Sequence, residues 1–321
     1  DVVINCATSQ PEKERENAKK ASLLLEMAST LQPTFSRTWL FMGSFTNILA
    51  AREENRESKS KLLLQARGYL AKAQELSPKR QEILIEMVKN YLLAEDYKSM
   101  EGAANDCVAV DAVRGECYWY LGISQIFMGK QEEGKKNIQL SKEKNYNDPP
   151  WLQLGVAYAK QKNYRGAAEA YHMVTSVYPN NVSYHAILAS LYKETKEYSK
   201  AGVQAALIFE LQPENLETIA FIKQLIDFDG NNTDLRSSLA SMYKRLGREE
   251  EYRQELSAMI HMYQQRTYKD PGNPDIHLYM AYIYKDLQRY DKARQEAMIA
   301  ITLRPELIKE VEAFLQSLPV K

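Results

Sequence analysis

The sequence predicts an all-α protein built from a repeated pair of antiparallel helices. Eight positions recur at a spacing of 34 residues, which is the strongest of three observations. Helix-forming residues are abundant, and the breakers are sparse, with 13 Gly and 11 Pro in 321 residues. A chain of this length exceeds one compact core, so a row of repeats or several domains is expected.

The clearest copies of the repeat lie in the middle and near the end of the chain. The first copy holds Trp151, Leu154, Gly155, Tyr158, Tyr164, Ala167, Tyr171 and Pro179. The next copy holds His185, Leu188, Ala189, Tyr192, Tyr198, Ala201, Ala205 and Pro213. The last copy holds His277, Met280, Ala281, Tyr284, Tyr290, Ala293, Ala297 and Pro305. The small residue after Leu allows two helices to approach closely, and the proline ends the second helix.

These positions resemble the tetratricopeptide repeat. In that family Trp, Leu-Gly and Tyr lie on a first helix, while Ala, an aromatic residue and Ala lie on a second helix closed by Pro. The resemblance covers most of the chain. It implies a right-handed superhelical solenoid of about seven repeats, followed by a C-terminal capping helix.

Weaker copies and connecting elements account for the rest of the chain. The expected segments, in order, are a second helix alone over 1–34, repeats over 35–213, an extra helix over 214–231, two further repeats over 232–305 and a capping helix over 306–321. The first full repeat contains extra polar residues near 50–61. They fit either a helix pair lengthened at its tip or an exposed loop.

The family resemblance also implies a ligand groove. In this family the first helices line a concave face, and residues between the packed Leu and Tyr positions point into it. The groove residues expected here are Ile85, Glu86, Lys89, Trp119, Tyr120, Ile123, Phe127, Gln153 and Lys160. An aromatic cluster in a groove suits a peptide or an amphipathic helix. The alternative is that Trp119 and Phe127 pack only against neighbouring first helices.

No catalytic or cofactor-binding pattern stands out. The four His residues are scattered, and no Ser/His/Asp or Cys/His grouping can be identified. Gly129 and Gly134 nearly fit a phosphate-binding loop, but Lys136 replaces the required hydroxyl and a helix precedes the motif. We therefore expect no enzyme activity, no cofactor and no metal.

The charge balance excludes the common polyanionic partners. Lys plus Arg and Asp plus Glu each number 42, so the formal net charge is zero. Nucleic acid and anionic membranes attract basic surfaces, and neither is expected as a partner. Because no stretch approaches the ~18 apolar residues of a membrane span, we expect a soluble domain, cytoplasmic unless an upstream segment tethers it.

The three cysteines, Cys6, Cys107 and Cys117, do not predict a disulfide framework. Cys107 and Cys117 fall at packed positions of predicted helices. We expect both to be small buried hydrophobic residues with free thiols.

Three functions remain open, and a protein-interaction scaffold is the preferred one. The chain begins without Met and in the middle of a repeat, which suggests a longer protein. It also looks similar to the repeat tails of bacterial O-antigen ligase-like membrane enzymes, which would make it an accessory domain. An enzyme in its own right would need clustered carboxylates on the concave face. An uncovered first repeat could also pair two copies as a homodimer.

Overall fold

The computed structural model describes residues 11–146 and 150–319, and its elements confirm the all-α prediction. These residues form seventeen α-helices and one short 3-10 helix. The chain divides into two compact units, residues 1–170 and 171–321, and the division falls within the ninth helix. Residues 1–10, which include Cys6 and the start of the segment predicted as a second helix alone, lie outside the described residues.

Unit 1 consists of consecutive helices joined by short turns. Its helices are α1 (Pro11–Leu31), α2 (Ser36–Ala51), α3 (Arg56–Leu76), α4 (Gln81–Leu93), α5 (Tyr97–Val110), α6 (Gly115–Phe127), α7 (Gln131–Glu143) and α8 (Trp151–Lys160). Packing pairs α2 with α3, α4 with α5 and α6 with α7, so α2, α4 and α6 are the first helices of successive pairs.

Unit 2 repeats the same construction after α9 (Tyr164–Val177), which crosses the division. Its helices are α10 (Val182–Glu194), α11 (Tyr198–Leu211), α12 (Glu217–Phe228), α13 (Thr233–Arg245), α14 (Glu249–Lys269), α15 (Pro274–Asp286), α16 (Tyr290–Leu303) and α17 (Ile308–Gln316), with the 3-10 helix Pro305–Leu307 before α17. The pairs are α10 with α11, α13 with α14 and α15 with α16. Helix α12 stands between two pairs, and α17 buries Val311 and Phe314.

Helix lengths account for the polar residues near 50–61. Helix α2 has 16 residues and α3 has 21, against 13 and 14 in the next pair. The Asn55 side chain accepts a hydrogen bond from the Ser58 backbone N–H at 3.0 Å and caps α3. The first full pair is therefore lengthened at its tip, with a short turn rather than a long loop.

Small residues bring the paired helices close together. A Cβ atom on Gly122 would lie 2.7 Å from the Gly134 carbonyl oxygen and 2.9 Å from Cγ1 of Ile138. Across the first full pair, a Cβ on Gly43 would lie 2.5 Å from Cγ of Leu70. Such distances are below van der Waals contact, so only glycine fits at these two positions.

A left-handed residue recurs in the turn within a pair. Glu95, Lys162, Lys196 and Gln288 have φ between 55° and 62°, and each directly precedes the last turn residue before a second helix. Gly129 and Gly247 hold the same place in two other pairs, with φ of 82° and 68°. This backbone conformation is unfavourable for most residues other than Gly. The turn therefore imposes it even where the position holds Glu, Lys or Gln.

Cys107 and Cys117 form a disulfide, which corrects the expectation of two free thiols. The bond joins α5 to the start of α6, with Cα atoms 5.6 Å apart. Both residues are buried, as their packed positions predicted. Residue spacing alone does not indicate this contact, because residues on two different helices meet only once the turn between the helices is formed.

Exposed apolar side chains are concentrated on α1. Leu23, Met27 and Leu31 follow one another at intervals of four residues and lie on one face of the helix, with Leu24 beside them. All four are more than 60% exposed. Within residues 11–146 and 150–319, no helix combines the length and apolar content that a membrane crossing requires.

Candidate functional site

The first helices α2, α4 and α6 of unit 1 border a cavity of about 430 Å³. Three of the expected groove residues, Ile85, Glu86 and Lys89, line it from α4. The other lining residues are Arg37, Leu40, Phe41, Ser44, Arg80, Glu82, Arg114 and Glu116. The cavity thus has an apolar wall and a rim rich in charge.

The rim charges are placed by the starts of two first helices. Arg80 and Arg114 directly precede α4 and α6, while Glu82 and Glu116 lie in the first turns, where the helix dipole favours carboxylates. Arg114 approaches Glu82 at 3.6 Å and Glu116 at 3.1 Å. These arginines occupy the same position in consecutive repeats, so the repeat itself places two cations at the cavity.

A buried ion pair forms the inner part of the cavity lining. Glu86 and Lys89 lie three residues apart on α4, and Lys89 Nζ donates to Oε1 of Glu86 at 3.0 Å. The Lys89 side chain is only 8% exposed and that of Glu86 is 13% exposed. Glu86 Oε2 has no hydrogen-bond partner. A lysine ammonium has three donors, so the pair retains unused hydrogen-bonding capacity on both partners.

The neighbouring buried amides are, by contrast, well paired. Asn90 donates to Asn47 Oδ1 at 2.7 Å and to the Leu63 carbonyl oxygen at 3.0 Å, and its own Oδ1 accepts from Arg67 at 2.7 Å. Asn47 in turn donates to the backbone carbonyl of Glu86 at 3.1 Å. This network joins α2, α3 and α4, which makes it a structural element.

Four expected groove residues on α6 are buried in this conformation: Trp119, Tyr120, Ile123 and Phe127. Trp119 lies edge-on to Trp151 at 5.4 Å, and its Nε1 has no partner. Phe127 stacks on Tyr97 at 4.2 Å. These side chains fill the space between helices, so the open part of the first-helix surface lies at α2 and α4.

The Tyr120 hydroxyl lies among acidic groups. Burial above all raises its pKa well above the usual value, and Tyr146, Glu116 and Glu86 raise it further. Gln153, a buried expected groove residue on α8, brings its carboxamide near this hydroxyl without completing a hydrogen bond of standard geometry. The Tyr120 hydroxyl therefore lies near both the carboxylates at the cavity and Gln153 of α8.

Lys160, the last of the expected groove residues, lies at the end of α8 and is bound to other side chains. Its Nζ donates to Tyr97 Oη and to Glu95 Oε2, each at 2.9 Å. The hydrogen bond with Tyr97, followed by that with Glu95, raises the pKa of Lys160. Lys160 also lies 5.6 Å from the Phe127 ring centroid. Lys160 thereby connects the end of α8 to the turn that follows α4.

Sequence reasoning missed eight of the eleven residues that line this cavity, among them Arg37, Phe41, Arg80 and Arg114. Phe41 and Arg37 belong to the divergent first pair, whose repeat pattern is weak. Arg80 and Arg114 could have been found, because an arginine recurs before two first helices at the repeat spacing of 34 residues.

Comparisons with known proteins match two segments of the chain to tetratricopeptide-repeat families. One family model matches residues 151–181 and another matches residues 275–307. The chain contains tetratricopeptide repeats in these two segments. Tetratricopeptide repeats are in general protein-interaction scaffolds, and this one falls in that broad class. In the part that the structure describes, no three His, Cys, Asp or Glu residues are grouped as metal ligands.

A curated relative of the chain is the TPR repeat-containing protein YpiA of Bacillus subtilis. The two are 25% identical over 191 residues, which covers 53% of this chain. The match spans 44% of the length of that relative. These matches give no support to the alternative of an O-antigen ligase-like accessory domain.

Solved structures with tetratricopeptide repeats also resemble the chain. YrrB, described as a TPR protein with an unusual peptide-binding site, shares 18% identity at a TM-score of 0.40, covering 62% of this chain and 97% of YrrB. Yeast Tom70 shares 15% identity at a TM-score of 0.42, covering 93% of this chain and 59% of Tom70. Likenesses at this level carry no statement about a ligand of this chain.

Proposed function

We propose that this protein is a non-catalytic scaffold that holds an extended peptide or a helix of a partner protein against α2, α4 and α6. The cavity at these first helices is the observation that carries the proposal. The proposed contact region consists of Phe41, Ile85 and the Glu86–Lys89 pair. It replaces the aromatic residues of α6 that were predicted from the sequence, because those are buried.

The cavity offers both kinds of contact that peptide recognition uses. Leu40 and Ile85 are buried, but Phe41 is 48% exposed and provides an aromatic surface. An exposed aromatic side chain beside polar groups is a typical anchor for a peptide. The charged rim then sets the register of the bound chain.

The charges of the cavity favour a polypeptide over a polyanion. Four cationic side chains line it, together with three carboxylates. Arg80, Lys89 and Arg114 each have a carboxylate within 4 Å. Their positive charge is therefore largely compensated, and a row of phosphates would meet Glu82, Glu86 and Glu116.

Selection from random peptides tests this function directly. Twelve-residue peptides displayed on phage are enriched on the immobilised chain, and the enriched sequences are synthesised and titrated by fluorescence polarisation. Phe41→Ala is expected to weaken their binding about five- to thirty-fold, the usual cost of removing an aromatic anchor. Val203→Ala, at an exposed position of α11, is the matched control. The proposal is overturned if no peptide is enriched, or if Phe41→Ala leaves the affinity of the enriched peptides unchanged.

A further inference from the structure

The geometry points to a recognition site for a carboxamide group at the Glu86–Lys89 pair. We propose that the pair binds the side chain of an Asn or Gln residue of the peptide. This inference rests on the proposed function and names the chemistry that the site selects.

The atoms of the pair match those of an amide. A carboxamide has one oxygen acceptor and two N–H donors, separated by on the order of 2.3 Å from oxygen to nitrogen. Lys89 Nζ can donate to the amide oxygen while Glu86 Oε2, which lacks a partner, accepts from the amide nitrogen. Lys89 has further N–H donors for the amide oxygen besides the one that it donates to Glu86.

A neutral group suits the pair better than a charged one. An ammonium or guanidinium group would be attracted to Glu86 but repelled by Lys89, because Lys89 Nζ lies 3.0 Å from Oε1 of Glu86. A carboxylate would be attracted to Lys89 but repelled by Glu86. Both side chains are largely withdrawn from water, which strengthens such repulsion. An amide takes one hydrogen bond from each partner and adds no net charge.

The buried amides next to the pair do not share its unused capacity. Asn47 and Asn90, buried next to it on α2 and α4, have their amides engaged by protein groups. A buried carboxylate oxygen without a partner costs free energy, and a bound polar group would remove that cost. Glu86 Oε2 is therefore the acceptor to which a bound polar group would donate a hydrogen bond.

The cavity allows an amide side chain to reach the pair. Glu86, Lys89 and Ile85 line the same cavity as Phe41. Phe41 and Ile85 provide an apolar wall for the methylene groups of the incoming side chain. Glu86 Oε2 is covered in this conformation, but the terminal torsion of a glutamate rotates through a broad range and can turn this oxygen towards the cavity.

The test uses the selected peptides and the full chain. We expect them to share an Asn or Gln at one position. Replacing that residue by the similarly sized Glu or Met weakens binding about ten-fold or more, because two hydrogen bonds to charged groups are lost. The same replacements elsewhere in the peptide change binding less than about two-fold. Because these changes are made in the peptide, the result does not depend on the folding of a variant protein.

A variant of the chain assigns the preference to the pair. Glu86→Gln together with Lys89→Met removes both charges without leaving one of them buried alone, and should reduce the preference for Gln over Met to less than about two-fold. Glu194→Gln, at an exposed position of α10 outside the cavity, should keep the preference, and circular dichroism checks that both variants fold. Peptides that bind without an Asn or Gln requirement would overturn the amide site alone. Absence of any peptide binding would overturn the scaffold function as well.

Discussion

At the scale of single residues, the small and buried side chains were more predictable than the charged ones. Gly122 and Tyr158 occupy the glycine and tyrosine positions of the repeat, and both are buried as that pattern implies. Glu86 and Lys89 could be placed on a first helix, but charged residues three apart usually lie on a solvated surface. These two side chains are buried because α2 and α6 pack on either side of α4. A short stretch of sequence does not indicate such packing between helices.

A methyl group at Gly122 is expected to destabilise the protein. Gly122→Ala would bring its Cβ against the Gly134 carbonyl oxygen at 2.7 Å, and a helix backbone cannot easily move away. We expect the free energy of unfolding to fall by about 1–3 kcal/mol in urea titrations. Gly102→Ala is the control, since no atom lies within 4 Å of its Cβ. It should raise stability by roughly 0.5–1 kcal/mol through helix propensity, and a similar gain for Gly122→Ala would contradict the close approach.

Tyr158 should make stability fall at high pH. Burial, followed by the charges of Glu169 and Glu132, raises the pKa of its hydroxyl to about 12. An unfolded tyrosine ionises near 10, so the folded state retains the proton longer. Its contribution is complete below pH ~10 and is lost as the pH rises towards ~12. Urea unfolding at pH 8 and 11 should show a smaller loss for Tyr158→Phe than for wild type.

The control for this effect is Tyr268→Phe, because the Tyr268 side chain is exposed. Its loss of stability between pH 8 and 11 should equal that of wild type. Equal losses in all three proteins would show that the Tyr158 hydroxyl is not buried as described.

At the scale of elements, predictability followed the strength of the repeat. Pro274 and Asn273 mark the start of α15, where Asn273 caps the helix, and both are visible in the sequence. The lengthened pair α2 and α3 remained ambiguous, because a polar insertion has the same composition in a helix tip and in a loop. The disulfide between α5 and α6 could not be predicted from residue spacing alone.

The disulfide should contribute to the stability of the turn between α5 and α6. Closing a loop with a sequence separation of 10 is worth roughly 3 kcal/mol on the chain-entropy estimate. Cys107→Ala with Cys117→Ala should lower the free energy of unfolding by about that amount without reductant. In reductant, the free energies of unfolding of wild type and variant should differ only by the packing contribution of the two cysteine side chains. Alkylation of both thiols in the native, unreduced protein would rule out the bond.

At the scale of the whole molecule, the apolar face of α1 is a candidate surface for pairing with a second copy. We propose that two copies pair through Leu23, Leu24, Met27 and Leu31, since contiguous exposed apolar residues mark interaction surfaces. Sedimentation velocity should show a dimer of wild type and a monomer of Leu24→Glu with Leu31→Glu. Both positions are exposed, so the monomer fold should be unaffected. A wild-type monomer at 100 µM, a trial concentration on the order of those that populate weak dimers, would contradict the pairing.

The left-handed turn residues offer a practical use. Glu95, Lys162, Lys196 and Gln288 hold the same backbone conformation at the same place in four helix pairs, and all four side chains are exposed. A spin label or dye attached at Lys162, Lys196 or Gln288 would therefore sit in an equivalent backbone environment, whereas Glu95 holds Lys160 and is left unlabelled. Labels at Lys196 and Gln288 would form a molecular ruler within unit 2. Stretching or compression of the repeats upon ligand binding would then be read as a change in label separation.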